Sequence, residues 1–188
     1  AAALLALTAV AVATTGTGAP SAYRGDPARS SRVFIFKQAG ADNRGNFTKL
    51  RTELRFDAAL PAAGGLNVVV DTGSLDTGDK DRDTALRGPD LFDTARFPQA
   101  TFVAQSLAKL PDGSYAAAGK LTIRDISRDL TIPLRIETDQ VSGKTAIALR
   151  GTTTINRLDF GVGQGEWRST EWVANAVTIE YSVPLRQP

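Results

Sequence analysis

The chain has 188 residues, of which 42% are apolar and 22% are charged, and its net charge is +2. This composition is typical of one globular domain with an extension, and the plentiful Val, Ile, Leu and Thr favour strands over a helical bundle. The absence of Cys and His excludes disulfides, thiolate nucleophiles, Cys-ligated zinc and every Ser-His-Asp arrangement, and the interspersed charges disfavour nucleic-acid binding.

Residues 1–22 carry no charge, and the first thirteen are almost all apolar. This pattern resembles the end of a secretory signal peptide. Thirteen helical residues span only about 20 Å, short of a hydrocarbon core of roughly 30 Å, but an uncleaved anchor with further residues before it fits the same pattern. Both alternatives predict export. We therefore expect a signal peptide or an N-terminal membrane anchor over 1–22, a linker over 23–31 and one folded domain over 32–188.

The rest of the chain is dominated by strand-like alternation, which is clearest where Leu50, Thr52, Leu54 and Phe56 alternate with charged residues. The predicted strands cover residues 32–38, 47–57, 66–71, 100–110, 114–124, 130–136, 144–156 and 173–185. No long amphipathic helix separates them. Eight antiparallel strands satisfy all their edges by closing, so the sequence predicts an all-β, up-and-down barrel with eight strands.

The third predicted strand is followed by a loop of about twenty-five residues, dense in Asp, Gly, Thr and Arg, before strand character returns at Ala100. Unstructured loops of this length are uncommon in compact domains. We therefore expect short helical turns in the loop, and a role for it.

Small residues share the predicted inward face with larger aliphatic ones, namely Thr48, Thr52, Gly151 and Thr153. They indicate either an incompletely filled interior or ordinary variation in the size of core residues. An apolar cavity with few polar groups is more typical of a lipid site than of a catalytic one.

Two other patterns are weak. Asp79, Asp81 and Asp83 are spaced like the start of a calcium loop, but Thr84 stands where Gly is required, so turn capping explains them better. The run Gly161 to Gly165 lacks the spacing and βαβ context of a dinucleotide fingerprint and is typical of a turn.

Four segments are specific in order and spacing: GNFTKLRTELRFD (45–57), VVVDTGSLDTGDKDRDTALRGPDLFDTARFPQATF (68–102), GKLTIRDISRDLTIPL (119–134) and TINRLDFGVG (154–163). Together they resemble the YceI-like family of exported, lipocalin-like, polyisoprenoid-binding proteins. The resemblance implies an extended lipocalin-like barrel of eight antiparallel strands, whose apolar cavity holds a long isoprenoid chain, and it does not imply catalysis. Ala85 stands where the family often has His, so the head-group preference is expected to differ.

On this reading the inward apolar residues are expected to bind the lipid: Phe34, Phe36, Leu50, Leu54, Phe56, Val68, Val70, Phe92, Phe97, Phe102, Leu121, Ile123, Leu130, Ile132, Leu134, Ile147, Leu149, Ile155, Val177, Ile179 and Tyr181. Leu86, Leu91, Phe92 and Phe97 are expected to point inward from the long loop as a plug or gate. Arg82, Arg124 and Arg157 match family motif positions and are candidates for a head group; alternatively they brace loops through Asp83, Asp125 and Asp159.

The expected function is non-enzymatic binding, storage or transport of an isoprenoid lipid, of the quinone or polyprenyl phosphate type, outside the cytoplasm. No catalytic residue, metal site or covalent cofactor is expected, although an enzyme acting on a lipid is a further alternative. The main alternative is a membrane-tethered accessory or scaffold subunit of a membrane protein complex, with the N-terminal apolar segment as its tether.

Overall fold

The computed structural model describes residues 18–141 and 143–188. These residues form eleven strands and one α-helix. The strands are β1 (Ser21–Gly25), β2 (Ser31–Gln38), β3 (Ala41–Phe47), β4 (Leu50–Phe56), β5 (Gly65–Asp71), β6 (Leu75–Asp76), β7 (Gln99–Lys109), β8 (Tyr115–Ile123), β9 (Ile126–Val141), β10 (Lys144–Asn156) and β11 (Val173–Arg186). The helix α1 spans Lys80–Arg87. None of the described helices is long and apolar enough to cross a membrane.

Eight strands close into an antiparallel barrel in the order β1, β4, β5, β7, β8, β9, β10 and β11. The ring closes because β11 returns to β1, where Arg24 pairs with Arg186 and Gly25 with Leu185. The predicted eight-stranded barrel is therefore confirmed. The long loop after β5 contains a 3₁₀ turn and α1, which confirms the predicted helical turns.

The strand β1 occupies residues that the sequence predicted to be linker or leader. It pairs with β4, and its Tyr23 is buried in the barrel core, so the linker predicted over 23–31 is wrong for its first residues. A run of five residues that ends at Gly25, with Pro27 soon after, is too short for alternation to be recognised. Residues 1–17 of the predicted signal peptide or anchor lie outside the described residues.

A second unpredicted strand, β3, forms a hairpin with β2. The hairpin attaches to the barrel because β2 pairs with β11 from Val173 to Ser182. Its turn uses Ala39 and Gly40, both with positive φ, and β3 itself has the polar sequence ADNRGNF, which hid it from pattern analysis. Beyond the end of β1, β2 takes over the pairing with β11, so the hairpin continues the barrel wall there.

Hydrophobic packing is unequal along the barrel axis. One end is filled by a cluster that includes Leu54, Leu107, Ala117 and Leu185, each exposing 2% or less of its surface. The opposite end is covered by smaller clusters around Leu91, Phe160 and Val162 and around Phe34, Phe36 and Val173. The space between these clusters holds the site described next.

Candidate functional site: an apolar cavity in the barrel

A cavity of about 540 Å³ lies inside the barrel between the packed end and the long loop. Residues from β2, β4, β5, β7, β8, β9, β10 and β11 line it, most of them aliphatic or aromatic. Its volume lies within the range of roughly 300–1,000 Å³ that is typical of ligand pockets. Side chains alternate between the two faces of a strand, so every second residue of a barrel strand faces the interior, where the cavity lies.

The floor of the cavity is formed by residues that also belong to the packed core, among them Leu66, Phe102, Leu134, Leu149 and Val183. These side chains are buried, with Leu134 exposing only 1% of its surface. The cavity is therefore closed at this end by close-packed core.

The mouth of the cavity lies beside α1, where the lining residues Asp79, Asp81 and Ala85 are exposed. Half-buried Leu86 and Phe92 also line this end. The Phe92 ring packs edge-on against Phe47, with 5.9 Å between ring centroids. The long loop thus covers part of the mouth with apolar side chains.

Sixteen of the side chains predicted to bind a lipid line this cavity: Phe34, Phe36, Val68, Val70, Phe92, Phe102, Leu121, Ile123, Leu130, Ile132, Leu134, Leu149, Ile155, Val177, Ile179 and Tyr181. The topology brings them together from the hairpin β2–β3, from the barrel and from the long loop. Their contact with a lipid stays a prediction.

The other five predicted residues do not line the cavity. Leu54, Phe56 and Ile147 face inward as expected but are buried in the packed end, where Phe56 stacks edge-on against Tyr115. Leu50 is the half-buried first residue of β4. Phe97 does not serve as an inward plug, since its ring packs under the guanidinium groups of Arg96 and Arg124. Alternation shows which face of a strand is inward but not at which depth the barrel is filled.

The predicted head-group arginines have three different surroundings. Arg82 lines the cavity mouth and forms a salt bridge with Asp79 at 3.8 Å. Arg124 is not a lining residue; its Nη1 donates to the carbonyl oxygens of Pro89, at 2.7 Å, and Leu91. Arg124 therefore braces the long loop through backbone carbonyls and not through Asp125.

Arg157 borders the cavity but is committed to holding the loop between β10 and β11. It exposes 5% of its surface, and its nitrogens donate to the carbonyl oxygens of Val162, Trp167, Ser169, Val173 and Ala174 at 2.7–3.1 Å. A guanidinium group has five N–H donors, so none remains for a head group. Burial lowers the pKa of Arg157 from its usual value, and its partners are carbonyls and not Asp159.

The acidic run in the long loop has a structural role. Asp79 caps α1, accepting hydrogen bonds from the amides of Asp81 and Arg82 at 3.0 Å. The hydrogen bond from the Arg82 amide holds the pKa of Asp79 below its usual value, with smaller contributions from the charge of Arg82 and from the Asp81 amide. Asp83 is buried and accepts from the hydroxyl of Thr77 at 2.7 Å. In the part of the chain that the structure describes, no group of three or more acidic side chains is arranged to hold a metal ion.

Sequence reasoning missed Arg32, which lines the cavity and exposes only 9% of its surface. Burial lowers the pKa of its guanidinium group to about 10. Arg32 looks like an ordinary charge at the start of a strand, but it is in phase with the inward residues Phe34 and Phe36, and that parity was the available signal. Val162 and Trp167 were also missed because they lie in the glycine-containing loop, which shows no alternation.

The model of the YceI-like domain family matches residues 23–185 of the chain. A UPF0312 protein of Shewanella sp. (strain W3-18-1) is 32% identical over 120 residues, which are 63% of this chain and 63% of the relative. A UPF0312 protein of Yersinia pestis (strain Pestoides F) is 37% identical over 92 residues, 49% of this chain and 47% of the relative. The chain thus spans less than two thirds of the length of these relatives.

Solved structures share the fold. BcnA of Burkholderia cenocepacia superposes with a TM-score of 0.80 at 32% identity, over 85% of this chain and 98% of BcnA. A polyisoprenoid binding domain from Saccharophagus degradans, implicated in plant cell wall breakdown, superposes with a TM-score of 0.72 at 18% identity, over 89% of this chain and 99% of that domain. The latter likeness shows the fold alone. Because the family model runs from β1 to the end of β11, the chain belongs to the YceI-like family.

Proposed function

We propose that this protein binds an isoprenoid lipid in its barrel and stores or carries that lipid without chemical conversion. The observation that carries the proposal is the cavity of about 540 Å³, which is closed at its floor by packed core residues and lined mostly by aliphatic and aromatic side chains. Such a site suits a long apolar chain better than a polar substrate.

The affinity can come from burial of the chain. Each buried CH₂ group contributes roughly 0.8 kcal/mol, so ten of them contribute on the order of 8 kcal/mol before the entropic cost of association is subtracted. The domain from Saccharophagus degradans, which is described as polyisoprenoid binding, supports an isoprenoid as the chain type through its common fold. Quinones and polyprenyl phosphates are the candidate ligands.

Non-enzymatic binding is supported by the polar side chains of the lining. Arg157 uses its donors on backbone carbonyls, and Asp79 caps a helix. Neither arrangement activates a nucleophile or places a general acid and a general base around a reacting bond.

A location outside the cytoplasm is part of the same proposal and is supported by the uncharged, apolar start of the chain. N-terminal sequencing of the native protein tests how that segment is processed. A mature start near Ser21 would remove a tether and would argue against the scaffold alternative.

The test of lipid binding is extraction of the purified, folded protein with organic solvent, followed by mass spectrometry, with a parallel titration of the emptied protein with farnesol. We expect an isoprenoid in the extract and saturable binding of one farnesol per chain. An extract that is reproducibly free of lipid, together with no farnesol binding, would overturn the proposal.

A further inference from the structure

Two buried polar side chains of the cavity lack hydrogen-bond partners. They are Arg32, through its Nε and Nη1 atoms, and Thr52, through its Oγ1 atom. Within the described residues, every enclosed side-chain nitrogen or oxygen without a partner belongs to one of these two residues, and both residues line the same cavity. Buried polar groups are nearly always hydrogen-bonded, so two exceptions that line one cavity indicate a polar ligand group.

Both residues lie deep in the cavity. Arg32 precedes Phe34 by two residues on the inward face of β2 and pairs with Tyr181 of β11. The cluster that contains Phe34 and Phe36 packs against Leu86 of α1, and Arg32 lies one inward step beyond Phe34, about 7 Å along β2. Thr52 exposes 3% of its surface and lies one inward step from Leu54, which belongs to the packed end.

The charge of Arg32 is not balanced by the protein. None of the salt bridges between described residues includes Arg32. Although burial lowers its pKa to about 10, the group stays cationic at neutral pH. An unpaired buried charge is costly, and pairing with an anion that supplies acceptor oxygens relieves that cost.

The mouth has the opposite charge. The exposed carboxylates of Asp79 and Asp81 border it, and the Arg82 guanidinium there already pairs with Asp79. Electrostatics therefore disfavour an anionic head group at the mouth and favour it at Arg32.

We propose that Arg32 and Thr52 form a subsite for an anionic oxygen head group, a carboxylate or a phosphate, so that an acidic amphiphile binds head first with its chain directed to the mouth. Arg32 donates to the anionic oxygens, and the Thr52 hydroxyl donates a further hydrogen bond. This inference rests on the proposed lipid binding and adds the charge and the orientation of the ligand.

The experiment compares three probes with the same C15 chain, farnesol, farnesoic acid and farnesyl phosphate, by calorimetric titration at pH 7.5. We expect the wild-type protein to bind at least one acidic probe about tenfold more tightly than farnesol, a difference that corresponds to about 1.4 kcal/mol. The preferred acidic probe identifies the head group as carboxylate or phosphate.

Variants test whether Arg32 and Thr52 cause the preference for an acidic probe over farnesol. Arg32→Met removes the charge and is expected to bind all three probes equally, whereas Arg51→Met removes an exposed arginine on the outer face of β4 and should keep the preference. Thr52→Val provides a second test, since it keeps the shape and the charge and should weaken only the binding of the acidic probe. Circular dichroism verifies that each variant is folded.

The outcomes separate the two proposals. Equal affinities in the wild-type protein, or a preference that survives Arg32→Met, would overturn the subsite while leaving lipid binding intact. Failure of all three probes to bind the wild-type protein would overturn lipid binding and the subsite together.

Discussion

The ring of Phe34 covers the α-carbon of Gly45 across the β2–β3 pair. A Cβ atom at position 45 would lie 2.3 Å from Cζ of Phe34, so only glycine fits beneath the ring. Phe34 is held there by Phe47, at 5.2 Å between ring centroids, and its ring also lines the cavity. The hairpin is therefore coupled to the site through this contact.

Gly45→Ala is expected to lower the free energy of unfolding by about 1–3 kcal/mol, because the added methyl group forces a packed ring to move. The displaced ring should also weaken farnesol binding. Urea unfolding and farnesol titration check the two effects. Gly18→Ala is the control, since no atom lies within 4 Å of its added Cβ; an equal effect of both substitutions would contradict the coupling.

Arg157→Lys is expected to destabilise the protein by about 2–4 kcal/mol, because lysine has fewer donors, arranged without the planar fork, and leaves buried carbonyls unpaired. Arg168→Lys lies in the same loop but is exposed, with one hydrogen bond to Gln164 at 3.1 Å, and should change stability by about 0.5 kcal/mol or less. Urea midpoints of both variants check the prediction. A small loss for Arg157→Lys would mean that the carbonyls find other partners.

Arg32→Met is expected to stabilise the ligand-free protein by about 1–3 kcal/mol at pH 8, because it removes an unpaired buried charge. Burial lowers the pKa of folded Arg32 from its usual value to about 10. Between these values the unfolded chain holds more protons, so wild-type stability rises with pH there. The buried charge therefore lowers the free energy of unfolding to its full extent below pH 10, and it lowers it less at higher pH.

The advantage of Arg32→Met should therefore shrink between pH 8 and pH 11. Urea unfolding at both pH values gives the free energy of unfolding of the wild-type protein and of the variant. Subtracting one from the other removes the effect of all other titrating groups, which the two proteins share. An advantage that is the same at both values would show that the charge of Arg32 is not the cause.

Thr153→Phe is expected to reduce farnesol affinity about tenfold or more, because Thr153 lines the cavity and the larger ring occupies the space of the lipid chain. Thr152→Phe is the matched control on the adjacent residue, which is exposed on the outer face of β10. Calorimetric titration compares them. Similar losses for both variants would place the lipid outside the barrel.

Phe92→Ala is expected to raise the dissociation rate of farnesol about tenfold, because it removes apolar cover at the cavity mouth. Phe97→Ala should leave that rate within about twofold, since its ring packs against Arg96 and Arg124 and not into the cavity. Stopped-flow displacement of farnesol measures both rates. Equal acceleration by the two variants would contradict the separate roles.

Local sequence pattern was sufficient for most of the barrel. Side chains alternate with a period of two on any half-buried strand, so the alternation from Leu50 to Phe56 predicted β4 and its dry face. The short β1 and the polar β3 lack this signal. They form strands because they pair with β4 and β2, and the sequence pattern does not show such pairing.

The tertiary structure decided what each inward residue does. Alternation treats Leu54 and Leu134 alike, but only Leu134 reaches the cavity, because the depth along the barrel depends on strand stagger and on how neighbouring strands fill the interior. The sequence pattern likewise does not distinguish Arg32 from Arg157, since both are simply charged residues. Arg157 proved saturated by backbone carbonyls, while Arg32 proved buried without an acceptor, since the partners of a guanidinium group come from segments distant in sequence.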